Sequence, residues 1–284
     1  MRIIVPTLGF GALLSPARGD GVLFATGDPD GLMAMASRPS GGGGGEIETG
    51  DDFVLDGASR ITGLSFTGLL TGGATPADIA QIVVEIYRVF PEDSTVPPSG
   101  SVPTRANSPS DVALTSRDSG AGELTYASAV VNPSFAVGNS VLNGIHPVPG
   151  NVTGGDGPVV GSEVRLDIAL SDPITLAAGR YFLVPQVLLA GAGQEFYWLS
   201  APRLVGPPVP DLQTWIRDGS IDPDWLRVGT DIEGQGRAFN ASFTLTGTAV
   251  PEPAAVLLAG IAAAAGCGGL PWSGRRRPGD RPAG

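Results

Sequence analysis

The 284-residue chain is 42% hydrophobic with positive mean hydropathy, enough apolar surface to build a core and too much for wholesale disorder. Its 43 glycines and 26 prolines break that surface into short runs, a pattern of many strands rather than long helices. Between Asp20 and Val250 stand 26 acidic residues against 11 arginines, a net −15 that repels phosphate backbones and speaks against nucleic acid as a partner.

All 17 basic residues are arginine. Schiff-base chemistry, a phosphate-loop lysine and a lysine general base are therefore absent. The single cysteine, Cys267, rules out an intrachain disulfide and a thiolate zinc cluster. The single histidine, His146, lies in a Pro/Gly loop without a nucleophile-elbow motif, so a Ser-His-Asp triad has no footing.

Residues 1–19 have the order of a weak or truncated secretory signal: Arg2, an apolar stretch over 3–14, then Ser15-Pro16-Ala17. Residues 22–38 read as strand and turn, and the five glycines at 41–45 as a flexible loop. Strands are expected over 52–55 and 61–70, separated by the turn dipeptide Asp56-Gly57. Residues 82–90 are apolar on both faces, as in a central strand covered on each side. Thr75-Pro76-Ala77-Asp78 ahead of it fits one helical turn.

Residues 91–122 show no periodicity, carry five prolines and read as a long excursion. A strand over 124–131 follows, then another Gly/Pro-rich connection to 162. Residues 163–170 alternate apolar and polar, the mark of a half-buried antiparallel strand. Strands over 180–190 and 194–200, joined by Gly191-Ala192-Gly193, read as a hairpin. Asp211 is placed to cap a short helix through 215–217. A closing strand over 238–245 buries Phe239, Ala241, Phe243 and Leu245. The expectation for 20–249 is one acidic, antiparallel, jelly-roll-like β-sandwich with long loops.

Three constellations in this body carry candidate chemistry. Asp28 and Asp30, Asp51 and Asp52, and Asp222 and Asp224 offer hard oxygens for calcium, against the plain reading of turn capping. Trp198, Trp215 and Trp225 form a platform for sugar rings if exposed, or core if buried. The many acids contain carboxylate pairs suited to a glycoside hydrolase, but local sequence nominates none of them.

The tail is the most specific feature. Val250-Pro251-Glu252-Pro253 precedes an uncharged run over 254–272, which as a helix is about 28 Å long, near the thickness of a bilayer core. Arg275, Arg276 and Arg277 follow, and the basic end extends to 281, which suits a cytoplasmic terminus. This combination resembles the PEP-CTERM sorting signal of Gram-negative bacteria. The resemblance covers residues 250–284 and implies export, membrane insertion through 254–272 and recognition by an exosortase-type membrane protease. Pro251, Glu252 and Pro253 match the recognition motif, and Arg275 to Arg277 match the basic cluster. The expected function is that of a non-enzymatic exported surface or matrix protein, in contact with exopolysaccharide if its body binds glycans. A carbohydrate-binding module is the alternative and a carboxylate-dependent glycoside hydrolase the third.

Overall fold

The computed structural model describes residues 20–41, 44–94, 106–146, 151–202 and 212–251. The described residues form fifteen strands: β1 (Gly21–Ala25), β2 (Met33–Ala36), β3 (Ile47–Leu55), β4 (Ser59–Leu70) and β5 (Ile79–Tyr87). Then come β6 (Thr115–Asp118), β7 (Leu124–Val137), β8 (Asn139–Val141), β9 (Val159–Leu176) and β10 (Gly179–Leu189). The last are β11 (Phe196–Ala201), β12 (Trp215–Asp218), β13 (Leu226–Arg227), β14 (Asn240–Ala241) and β15 (Phe243–Ala249). The protein is all-β, with two sheets packed on a shared apolar core in a sandwich-like arrangement.

β4 is the hub of the larger sheet. One of its edges pairs with β9, which pairs in turn with β7. Its other edge pairs with β15 and then with β11, leading outward to β1 and to β2 and β8. Gly68 permits the switch between partners, since a Cβ there would lie 2.1 Å from the Phe196 ring. The smaller sheet runs β13-β12-β3-β10-β5-β6, all antiparallel.

Strand alternation assigns the faces. In β9, Val164, Leu166, Ile168 and Leu170 are buried while Arg165, Asp167 and Ala169 are exposed, as their spacing predicts. Phe239, Ala241, Phe243 and Leu245 are likewise buried. Pro76–Asp78 is a single 3-10 turn whose Asp78 carboxylate accepts from the Thr75 amide at 2.8 Å.

Several expectations are corrected. Residues 215–217 lie in β12, because pairing with β3 satisfies their backbone as strand; Asp211 is outside the described residues. The strands flanking Gly191-Ala192-Gly193 are not a hairpin: β10 belongs to the smaller sheet and β11 to the larger. Asp56-Gly57 likewise carries the chain from one sheet to the other. The excursion after residue 90 contains β6, and the connection after 131 contains the rest of β7, then β8 and the start of β9. Within the glycine run, Gly41 and Gly44 bridge each other through their backbones. No helix among the described residues is long and apolar enough to cross a membrane, and residues 1–19 and 252–284 lie outside them.

Candidate functional site

The outer face of the smaller sheet carries a second, aromatic layer. Ile82, Val84 and Ile86 of β5 point into the inter-sheet core, so Val83, Glu85 and Tyr87 point outward. Tyr87 joins Phe182, Val184, Trp215 and Trp225 in a cluster separate from the main core. Residues 108–111 and 222–225 cover it: the Trp225 indole N–H donates to the Ser110 carbonyl at 3.2 Å.

Beside this cluster opens a cavity of about 280 Å³, lined by Glu46, Glu48, Glu85, Tyr87, Arg217 and Asp222 among others. Glu48 and Arg217 are direct cross-strand partners on β3 and β12. Their side chains are both almost fully buried and form an ion pair through Arg217 Nε. The guanidinium also donates to Asp222 Oδ1 at 2.7 Å and to the Asp111 and Pro223 carbonyls, and lies 4.4 Å over the Trp225 ring. Every face of the arginine is thereby occupied.

Tyr87 joins two carboxyl groups. Its hydroxyl lies 2.5 Å from Glu48 Oε1 and 3.1 Å from Glu85 Oε2, so those oxygens are at most about 5.6 Å apart. A phenol has one proton. That proton lies within donating distance of both carboxyl groups, and the phenolic oxygen accepts from Arg217 Nη2 at 3.3 Å. Burial first, and the Glu48 charge second, push Glu85 up to about 7. Burial and both glutamates keep the Tyr87 phenol protonated.

This arrangement can hold and share a proton. The carboxyls approach the roughly 5–5.5 Å spacing of a retaining glycosidase. The Tyr87 hydroxyl, however, fills the interval in which a glycosidic bond would have to sit. Glu85 binds its proton more tightly folded than unfolded, so its contribution is complete below about pH 4.5 and is lost as the pH rises to about 7. Glu85→Gln keeps an acceptor for the Tyr87 hydroxyl and removes the titration. The variant is expected to match the parent near pH 4 and to exceed it near pH 8 by on the order of 2 kcal/mol in urea unfolding. Equal pH slopes for the two proteins would contradict the shared-proton arrangement.

A larger cavity of about 320 Å³ lies where Gly41, Gly44, Gly191 and Gly193 approach Arg38 and Glu195. Those two charges are committed to each other as an ion pair.

The structure separates the residues singled out in the sequence. Trp198, Trp215 and Trp225 are all fully buried, Trp198 between the sheets and the other two in the outer cluster. They are core, and an open stacking platform built from them is ruled out by that burial. Asp51 and Asp52 are on a strand rather than a turn, and consecutive strand residues point to opposite faces, so the two cannot share an ion. Asp51 reaches across the sandwich to accept from the Ala241 amide at 2.6 Å, and burial with the neighbouring Asp52 charge pushes its pKa well up. Asp52 pairs with Arg180. Asp30 accepts from the Leu32 amide at 3.0 Å, a turn-capping role, while Asp28 is exposed. Asp222 binds Arg217, and Asp224 is buried in the same turn. Among the described residues no three His, Cys, Asp or Glu side chains converge to hold a metal. His146 is half-buried in the coil after β8. Of the sorting motif, Pro251 is described and exposed; Glu252, Pro253, Arg275, Arg276 and Arg277 lie outside the described residues.

The Glu48–Tyr87–Glu85–Arg217 network was not singled out in the sequence. Its local trace is an acid in an apolar strand, Glu85 two residues from Tyr87, and an Arg217 two residues after Trp215. Comparison with family models and with curated proteins finds no match.

Proposed function

We propose that this chain is a non-enzymatic exported protein of the bacterial surface or matrix, whose β-sandwich body is delivered by its C-terminal sorting tail. The observation that carries the reading is a coincidence of boundaries. The body closes with β15 at Ala249, and the Val-Pro-Glu-Pro motif begins at the next residue. A processing protease needs its recognition segment outside the folded body, and Pro251 is exposed. In this reading residues 254–272 cross the inner membrane as a helix, Arg275 to Arg277 stay cytoplasmic, and an exosortase acts near Pro251-Glu252-Pro253. The burial of the three tryptophans removes the main support for the glycan-binding alternative. The Tyr87 hydroxyl between Glu48 and Glu85 weighs against the glycosidase alternative.

Fractionation of cells making the full chain and a form ending at Val250 tests the proposal. The full chain is expected in the envelope and at the surface, and the shortened form away from the membrane. Recovery of both from the cytoplasm would refute it.

A further inference from the structure

One edge of the larger sheet departs from the way β-proteins protect their edges. β7 pairs with β9 on one side and, among the described residues, with no strand on the other. Edge strands are ordinarily guarded by charge, proline or a bulge. The fourteen residues of β7 carry no charged side chain, although the body around them has a net charge of −15. Proline and the bulges are confined to its second half, around Asn132 to Phe135. The first half, Thr125 to Val130, is regular and unguarded.

The core-facing side of this half is only partly covered. Tyr126, Ser128 and Val130 pair with Ile168, Leu166 and Val164, all of which are buried. Val130 is nevertheless 49% exposed and Tyr126 37%, the Tyr126 hydroxyl reaching the Ile79 carbonyl of the opposite sheet at 3.3 Å. On the other side of the strand Val131 is 58% exposed.

We propose that β7 is a self-association edge, at which a second copy of this chain adds its own β7 antiparallel about a two-fold axis through Ser128. The sequence Tyr126-Ala-Ser-Ala-Val130 is self-complementary about that point. Tyr126 faces Val130, Ala127 faces Ala129, and Ser128 faces itself. The pairing sets an aromatic beside a β-branched residue on the uncovered side, twice by symmetry. Charge selects the occupant. A basic partner gains nothing at a strand without charge, whereas two bodies of net −15 approach with least repulsion where neither presents a carboxylate. The bulge at Val131 and Pro133 end the regular pairing after Val130 and so pin its register. With about five residues a side, against the roughly 20–30 of a standard interface, the association is concentration dependent. Display on a surface raises the effective concentration and favours it.

The test is sedimentation velocity of the full chain in mild detergent over a range of concentrations, with Val130→Lys and with Ser128→Cys in a Cys267→Ser background. The parent is expected to shift from monomer to dimer with concentration. Val130→Lys is expected to weaken association at least tenfold with an unchanged melting temperature, and Ser128→Cys to yield a thiol-bridged dimer. A parent that stays monomeric, a dimer indifferent to Val130→Lys, or no bridging through Ser128→Cys would overturn the proposal. So would a dimer seen only when the chain ends at Val250, because the tail would then be what the edge meets.

Discussion

Arg217→Met is expected to destabilise the protein by about 3–5 kcal/mol, the range for removing one partner of a buried ion pair. The arginine is the common partner of Glu48, Asp222, Tyr87 and two backbone carbonyls, and it packs on Trp225. Methionine preserves much of the stem's packing and removes the charge. Glu48 is then left buried with the Tyr87 hydroxyl as its remaining side-chain donor among the described contacts. Glu48→Gln added to Arg217→Met relieves that uncompensated charge, so the double variant is expected to be more stable than Arg217→Met alone. Urea unfolding of the three proteins checks this. A loss below about 1 kcal/mol for the single variant would mean that the pair is solvated, as exposed pairs are.

Trp198→Ala is expected to cost a similar amount, about 3–5 kcal/mol. The ring is fully buried between the sheets, lies against Phe66 and Phe243, and donates its indole N–H to the Ser242 carbonyl at 2.9 Å. Truncation removes a large apolar area, opens a cavity and takes one of two donors from the Ser242 carbonyl, which keeps the Thr67 amide at 3.2 Å. For a body of this size, at roughly 2–4 °C per kcal/mol, the melting temperature should fall by roughly 10 °C. The experiment also discriminates function. A sugar-stacking tryptophan can be removed with little change in melting and a loss of polysaccharide binding, the reverse of what the burial of Trp198 requires.

Where a strand has one wet face its sequence is readable: the alternation through 164–170 survives in the structure residue for residue, with Glu163 buried where the alternation places it in water. Through 239–245 the apolar set is buried as expected, but Asn240 and Ser242 are buried with it. Turn chemistry was readable too, but only as chain reversal. Asp56-Gly57 and Gly191-Ala192-Gly193 each turn the chain, and neither states whether the next strand stays in the sheet or crosses to the other. Residues 215–217 were too few for a period to separate helix from strand, and β3 decided the matter by long-range pairing. The same cause hid the pocket. Tyr87 meets Glu48 across 39 residues and Arg217 meets it across 169, so no local window holds the network. Residues 82–90 are apolar on both faces, yet on the outer face Tyr87 is buried while Val83 and Glu85 are only half-buried; residues 108–110, inside the expected excursion, instead pair edge-on with 88–90.

Delivery of this body by its tail is tested most directly by the intact mass of the protein recovered from the cell surface. The expected chain ends near Pro251-Glu252-Pro253 and lacks Trp272 and the arginines at 275–277. A surface protein that retains Trp272 would contradict processing by an exosortase.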